Sequence, residues 1–162
     1  MKKKGIEQQI AEHAIVYREN HYRLAYSYVR NEDDALDIVQ ESIYKAISSI
    51  NSLKHPDYIK TWFYRIVVNT SLDSLRKRKR LDLVEEDVLL SFDSGKVDKY
   101  EEFDLKKALE ELPERYRIIV ILRYFEDLKI EEIAEVLNEN INTVKTRLYK
   151  SLEILRLNLK EV

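Results

Sequence analysis

The residues with the clearest chemical use in this sequence are cations that occur in two groups. Five follow one another at Arg76–Arg80, and a second group lies within residues 141–160, where Glu153 is the single acid. The second group comprises Lys145, Arg147, Lys150, Arg156 and Lys160. Lysine and arginine neutralise phosphates, and short polar side chains bond to base edges. The two groups therefore indicate a nucleic-acid partner, although each also fits a solvated helix face.

The second group lies on a predicted helix with two distinct faces. At about 100° per residue its apolar residues share one face, while Thr143, Thr146 and Lys150 point away from it. The apolar residues are Ile141, Val144, Leu148, Leu152 and Leu155. A shorter helix precedes it, with the small Ala134 where two crossing helices need close contact, and Asn140 is placed to cap the later helix. This pattern predicts a helix-turn-helix whose second helix enters the major groove of DNA.

Carboxylates on one predicted helix are the best candidates for catalysis, and they are weak ones. Asp34, Asp37 and Glu41 could form a carboxylate Mg²⁺ site, but no histidine follows a glutamate by three positions, as the di-metal motif of helix bundles requires. The two distant glycines exclude glycine-rich phosphate loops, and the absence of cysteine excludes thiolate chemistry. We favour a negatively charged docking face, and we predict no catalytic residue, no metal and no cofactor.

The composition indicates an all-helical protein of the cytoplasm. The 162 residues include only 2 Gly and 2 Pro, too few for the tight turns of β-rich folds. Without cysteine no disulfide framework is possible, which favours a reducing compartment. The longest apolar run, Ile118–Leu122, has 5 residues against the roughly 20 that span a bilayer, and no apolar stretch follows the basic start. We expect a cytoplasmic protein without membrane insertion.

The charge distribution divides the chain. Residues 59–80 contain 7 basic and 1 acidic side chains, whereas residues 81–102 contain 2 basic and 8 acidic ones. The acidic stretch includes Gly95 and lacks sustained helical periodicity, which is typical of a linker. We therefore predict two small helical domains, residues 1–80 and 103–162, joined by an acidic linker at 81–102.

The apolar periodicity predicts three helices in the first domain and four in the second. Those of the first domain run from about Ile6 to Arg30 with an interruption near Asn20, from a cap at Asn31 to about Ile50, and from about Asp57 to Arg80. Those of the second run over Leu105–Leu112, Glu114–Phe125, Leu128–Leu137 and from Asn140 to about Leu159.

Several short motifs are distributed along nearly the whole chain in a characteristic order. Those of the first domain are DALDIVQE at 34–41 and WFYRIVVN at 62–69, continuing to Asp73 and Arg76. Those of the second are LPE at 112–114, LRY at 122–124, EIA at 132–134 and NTVKTRL at 142–148. In this order and spacing they resemble bacterial RNA polymerase sigma factors of the extracytoplasmic-function (ECF) group, which have two DNA-binding domains joined by a linker.

The resemblance implies a polymerase-docking helix in the first domain. The residues that it assigns to docking on the clamp helices of the largest polymerase subunit are Asp34, Asp37, Gln40 and Glu41. An acidic and amide face that meets a basic coiled coil is electrostatically complementary. The acidic linker is expected to pass through the polymerase cleft.

The resemblance also implies that the third helix and the loop before it open the downstream promoter element and hold a base flipped from the non-template strand. Asn69 matches a base-contacting position, and Lys60, Arg76 and Lys77 are expected to contact the backbone. Leu53 stands in the base-capture loop, where many family members have an aromatic residue. A pocket for the base and a cationic track for the single strand can offset the cost of unstacking.

For the upstream element the resemblance implies contacts to duplex DNA from the second domain. The residues assigned are Arg123, as a phosphate contact, and Thr143, Lys145, Thr146, Arg147, Tyr149 and Lys150 on the second helix of the helix-turn-helix. Asn138 stands in the turn where many members have glycine, and asparagine also tolerates a left-handed backbone.

The function implied is that of a sigma factor without catalytic activity, which binds core polymerase, recognises a duplex upstream element and melts a downstream element that it binds as a single strand. The genes that it transcribes are expected to form a stress or envelope-response regulon. An anti-sigma factor, often membrane-bound in this group, is an expected partner. The alternative is a free-standing helix-turn-helix regulator that binds duplex DNA without polymerase. A carboxylate-metal hydrolase is a third, more distant alternative.

Overall fold

The computed structural model describes residues 2–84 and 104–160, and every regular element in these ranges is a helix. The first module, residues 2–84, contains α1 (Lys2–Val16), α2 (Arg18–Val29), α3 (Glu32–Ser48) and α4 (Ile59–Val84). The second module, residues 104–160, contains α5 (Asp104–Glu111), α6 (Glu114–Val120), α7 (Ile130–Leu137) and α8 (Ile141–Lys160). The all-helical prediction is confirmed. The predicted linker lies, from residue 85 onward, outside the described residues.

The first three helices are separated by short local signals. The helical chain is interrupted at Tyr17, three residues before the predicted position near Asn20. Arg30 ends α2 with a left-handed backbone, at φ 56°. The Asn31 side chain then accepts a hydrogen bond of 2.9 Å from the Asp34 N–H, which confirms the predicted cap of α3. Three acidic residues in the first turn of α3 suit the positive end of its dipole.

The loop between α3 and α4 is held against its neighbours by specific contacts. Two short 3₁₀ turns, Ile50–Ser52 and Pro56–Tyr58, replace the last predicted turn of α3 and the first of α4. The half-buried Trp62 donates its indole N–H to the Ser52 hydroxyl at 2.9 Å. Leu53, between the two turns, is only 7% exposed and belongs to the hydrophobic core. The loop is therefore anchored near its middle, at Ser52 and Leu53.

The helix-turn-helix of the second module has the predicted local geometry. Helix α6 continues into a wider π-helical turn at Ile121–Phe125, after which the chain reverses before α7. Asn138 ends α7 with a left-handed backbone at φ 58°, which confirms that asparagine supports this turn. The Asn140 side chain accepts a hydrogen bond of 2.7 Å from the Asn142 N–H at the start of α8. The predicted cap is thus confirmed.

The hydrophobic core crosses the boundary between the two modules. Buried residues of α1 to α4 form one cluster with residues of α6, α7 and α8. Helix α4 packs on α2 and α3 and also on α7, so it is covered on two sides as the sequence predicts. Helix α2 additionally contacts α6. A second, smaller cluster holds α5 against α6 and α8 through Ala108, Leu109, Leu112, Val120 and Leu155.

Candidate nucleic-acid interface

The outer face of α8 presents short polar and basic side chains to solvent. Lys145, Thr146, Tyr149 and Lys150 are exposed, and Thr143 is half-buried. The opposite face is sealed against the module, because Val144, Leu148 and Ser151 are buried. Hydroxyl, ammonium and phenol groups on one exposed helix face are suited to base edges and phosphates. The structure therefore places these five predicted residues together.

Two other residues predicted to contact DNA, Arg147 and Arg123, also form bonds within the second module. Arg147 is half-buried and forms an ion pair with Glu139 at 3.6 Å. Arg123 donates to the backbone carbonyl of Leu128 at 3.0 Å. These bonds hold the turns on either side of α7, so both arginines have a structural use besides any contact with DNA.

The predicted downstream residues lie along α4, apart from Leu53. Asn69, Arg76 and Lys77 are exposed and Lys60 is half-buried. Arg76 forms an ion pair with Asp73 one turn earlier. Leu53 is buried, so in this structure it is a packing residue and presents no surface to a base. Its burial follows from the apolar core that the loop covers.

A cleft between α3 and α4 adds a feature that sequence reasoning missed. It has a volume of about 360 Å³ and is lined by Tyr44, Lys45, Ser48, Ser49, Ile66, Asn69 and Thr70. Tyr44 is 72% exposed, and Lys45 donates to the Thr70 hydroxyl at 3.1 Å. An exposed tyrosine on an otherwise acidic helix is the only signal in the sequence that could have indicated this cleft.

The outer face of α3 combines acidic and apolar side chains. Asp37, Gln40 and Glu41 are exposed as predicted for a docking surface. Leu36 and Ile47, which the sequence analysis did not single out, are also exposed, at 47% and 53%. At about 100° per residue, these positions and Tyr44 lie within an arc of roughly 140°. The surface is therefore mixed, with an apolar edge and an acidic edge.

Two of the predicted docking acids already have cationic partners. Asp34 forms an ion pair with Arg78 of the basic run on α4. Glu41 lies 3.4 Å from the Lys45 ammonium, which also lies 3.8 Å from the Asp73 carboxylate. These exposed pairs contribute little to stability, and they connect the acidic face of α3 to the basic end of α4. No group of three metal-ligating side chains occurs among the described residues.

The interior of the first module holds two histidines, and Nε2 of His13 and both ring nitrogens of His21 have no hydrogen-bond partner. His21 stacks on Phe63 with ring centroids 4.4 Å apart, and His13 lies 5.1 Å from His21. Burial, reinforced by the Lys60 charge, lowers the pKa of His13 to about 4. Burial, reinforced by His13, lowers the pKa of His21 to about 3. Both rings are therefore neutral near pH 7 and act as aromatic packing groups.

The fold and surface are those of a helix-turn-helix protein with a face suited to DNA, in which the helix-turn-helix module packs on a second helical module. Residues 16–81 match the Sigma-70 region 2 family and residues 102–155 match the Sigma-70 region 4 family. The chain is 54% identical over 143 residues to the RNA polymerase sigma factor SigV of Bacillus subtilis, covering 88% of this chain and 86% of that protein. It is 31% identical to the ECF sigma factor SigW of the same organism, covering 99% and 94% of the two chains.

The chain belongs to the ECF sigma factors of bacterial RNA polymerase, and promoter-specific transcription initiation is the activity of this family. Two solved structures share the fold. The sigma factor RpoE of Bartonella quintana, solved with the anti-sigma factor NepR, has a TM-score of 0.77 at 24% identity and covers 93% of this chain and 96% of its own. CnrH, solved with the cytosolic domain of CnrY, has a TM-score of 0.65 at 21% identity and covers 98% and 89%. Within residues 2–84 and 104–160, no helix is long and apolar enough to cross a membrane.

Proposed function

We propose that this protein directs core RNA polymerase to promoters of a stress or envelope-response regulon by binding two DNA elements with different parts of its surface. The observation that carries the proposal is the outer face of α8, where Lys145, Thr146, Tyr149 and Lys150 lie together and exposed beyond a capped helix start. An α-helix of this kind fits the major groove of duplex DNA. The proposed domains are residues 1–80 and 103–162, with residues 81–102 as their linker.

The cleft between α3 and α4 is proposed to hold an unpaired base of the downstream element. The exposed ring of Tyr44 offers a stacking surface, and the Asn69 amide can both donate and accept a hydrogen bond on a base edge. Lys60, Arg76 and Lys77 place positive charge along α4 for the strand that carries the base. This proposal transfers the base-capture role from Leu53, which is buried, to Tyr44.

Helix α3 is proposed to dock on the core polymerase. Asp37 and Glu41 provide the acidic edge, and Leu36 and Ile47 provide exposed apolar area beside it. Apolar contact supplies affinity in such an interface, whereas the charges favour encounter with a basic partner and fix the orientation. An anti-sigma factor is proposed as a further partner, since the structural neighbour RpoE was solved with the anti-sigma factor NepR. The proposed compartment is the cytoplasm.

Transcription in vitro tests the proposal directly. Purified bacterial core polymerase is incubated with and without the protein on templates from its own genome, beginning with the segment upstream of its own gene. We expect discrete transcripts that require the protein. Stable, specific duplex binding by the isolated chain, with no transcripts and no core binding, would instead establish a free-standing regulator.

The docking surface is tested by competition for core polymerase. The variant Asp37→Ala with Glu41→Ala should compete at least tenfold less well than the parent chain, because it loses the acidic edge of α3. The matched control is Glu12→Ala with Glu19→Ala, which removes two exposed acids from α1 and α2. Equal competition by both double variants would place the docking surface elsewhere.

A further inference from the structure

A carboxylate on α4 contacts two cations beside the cleft between α3 and α4. Asp73 accepts a hydrogen bond from the Arg76 guanidinium through Oδ1, and its Oδ2 lies 3.8 Å from the Lys45 ammonium of α3. Lys45 also donates to the buried Thr70 hydroxyl at 3.1 Å and lies 3.4 Å from a Glu41 carboxylate oxygen. Each oxygen of Asp73 therefore faces a different cation, and the charged groups form one chain of contacts from α3 to α4.

Helical spacing places this carboxylate next to the candidate base contact. Asn69, Asp73 and Arg76 lie on α4 within an arc of roughly 60°, at about 100° per residue. Along the helix axis Arg76 is about 10 Å from Asn69, so one DNA strand can contact both. Asn69 and Lys45 both line the cleft in which we propose that an unpaired base is held. The two cations that Asp73 contacts are thus placed for the backbone of that strand.

Both cations keep donors for a phosphate while they contact Asp73. A lysine ammonium has three donors and an arginine guanidinium has five. The side chain of Arg76 is 65% exposed and that of Lys45 is 35% exposed, so phosphate oxygens can reach both. Contact with Asp73 therefore orients these two side chains and leaves them able to bind DNA.

Asp73 has two opposite effects on a bound strand. Its charge repels phosphates, but the side chain is 47% exposed and salt weakens repulsion beyond a Debye length of about 8 Å. Its contacts fix two long side chains that would otherwise have to be ordered on the strand, and each such ordering lowers affinity about twofold to tenfold. Because one carboxylate orients two cations, the second effect is the larger.

We propose that Asp73 is a positioning residue for the downstream promoter element, which orients Lys45 and Arg76 before the single strand binds. Asp73 itself makes no contact with DNA in this role. A residue with the same sign of charge as DNA thereby strengthens the binding of DNA. The inference rests on the proposed function, because it takes the cleft and α4 as the surface for the downstream element.

Binding of a pre-opened promoter by reconstituted polymerase tests this role. Core polymerase saturated with the protein is titrated with the promoter found by the transcription assay, in a fragment whose downstream element is unpaired by mismatches. Asp73→Ala should weaken binding about fivefold, although it removes a negative charge beside the DNA. The control Asp33→Ala removes the same charge from an exposed position in the first turn of α3 and should leave the affinity unchanged within twofold.

Two results of this titration would overturn the proposal. Binding by Asp73→Ala that equals or exceeds that of the parent would show that repulsion outweighs positioning. An equal loss in Asp73→Ala and Asp33→Ala would show that the effect does not depend on the contacts with Lys45 and Arg76.

A double-mutant cycle separates positioning from a general structural role. In a background that carries Lys45→Ala and Arg76→Ala, the further change Asp73→Ala should alter the affinity by less than twofold, because the cations that it orients are gone. A structural role would give the same fivefold loss in both backgrounds, and that result would contradict the inference.

A charge-neutral variant covers the case in which Asp73→Ala fails to fold. Thr70→Val removes one acceptor of the Lys45 ammonium with little change in the volume of this buried side chain. It should weaken binding of the pre-opened promoter about twofold. Unchanged affinity would show that fixing Lys45 does not contribute to strand binding.

Failure of the proposed function is recognised separately. A parent chain that gives no transcripts and does not bind core polymerase overturns the proposed function, and the positioning role with it. A parent chain that transcribes normally, together with an unaffected Asp73→Ala variant, overturns the positioning role alone.

Discussion

The two modules differ in whether their buried side chains carry charge. Among the described residues of the first module, Ser27 and Ser71 donate to carbonyls of their own helices, and Nε2 of His13 and both ring nitrogens of His21 have no hydrogen-bond partner. In the second module, Arg117 and Glu126 form bonds to the first module. The charges that the second module buries are thus explained by its docking on the first, because its own interior does not pair Glu126.

The outward surfaces of the modules differ in the opposite way. In the first module, charged residues of the candidate sites pair with one another, as Asp34 does with Arg78. On α8, Lys145 and Lys150 form no ion pair among the described residues. Lys145 and Lys150 on the proposed DNA-binding face are therefore free of ion pairs among the described residues, whereas the proposed ligands of the first module would compete with internal pairs such as Asp34–Arg78.

Low pH should produce the largest effect that distinguishes the two modules, a loss of stability that originates in the first module, because all three histidines of the sequence lie there. Below a pH of about 6.5 the unfolded chain binds protons at His13 and His21, while in the folded chain these rings stay neutral until a pKa of about 4 and about 3. The free energy of unfolding should therefore fall as the pH drops from 6.5, by about 1.4 kcal/mol per pH unit for each histidine. Denaturant unfolding at a series of pH values measures this slope.

The variant His21→Phe isolates one of these histidines. Phenylalanine can keep the stack on Phe63. The slope of the free energy of unfolding against pH should decrease by the contribution of one histidine, about 1.4 kcal/mol per pH unit. An unchanged slope in His21→Phe would show that this ring does not resist protonation.

The substitution Arg117→Lys should weaken the contact between the two modules and lower the free energy of unfolding by about 3 kcal/mol. A lysine cannot reproduce the guanidinium that bonds both the Ser27 and the Leu112 carbonyls. Denaturant unfolding should show the loss, together with a separation into two transitions if docking of the modules is what these charges serve. The exposed Arg115→Lys on the same helix is the control and should change stability by less than about 0.5 kcal/mol. Equal effects of the two variants would contradict the comparison.

The substitution Lys150→Ala should weaken binding of the polymerase complex to the upstream element by about 1–3 kcal/mol, which is roughly 5-fold to 150-fold. Lys150 is exposed on the proposed DNA-binding face of α8. Gel-shift titration at fixed salt measures the change, and Lys107→Ala on α5 removes the same charge from a different surface of the module. If Lys150→Ala lost binding to core polymerase equally, the residue would not act at the DNA.

The smallest effect is expected from Arg78→Ala, which breaks the pair with Asp34. The two side chains are 44% and 31% exposed, so the free energy of unfolding should fall by less than about 1 kcal/mol. Comparison with Arg80→Ala in the same basic run controls for the change in charge. A loss as large as that of Arg117→Lys would show that outward pairs stabilise the first module as strongly as buried bonds stabilise the contact between the two modules.

Local signals in the sequence predict most of the fold. The caps at Asn31 and Asn140, the left-handed Asn138 and the apolar face of α8 all depend on neighbours within a few residues, and each is confirmed. The interruption at Tyr17 was placed three residues too late, because no glycine or proline marks it. Leu53 was expected at a DNA-binding loop and is buried, since burial depends on what packs over the loop.

By itself the sequence determines that this protein is helical, that it belongs to a family with two DNA-binding modules, and which face of α8 is turned outward. These properties depend on periodicity, capping and motifs, which act over short distances along the chain. Only the tertiary structure decides that Tyr44 and Asn69 share a cleft and that Glu126 meets Asn20, Arg23 and Tyr64. Those contacts join residues 25 to 106 positions apart, and no local pattern specifies which distant side chains pack together.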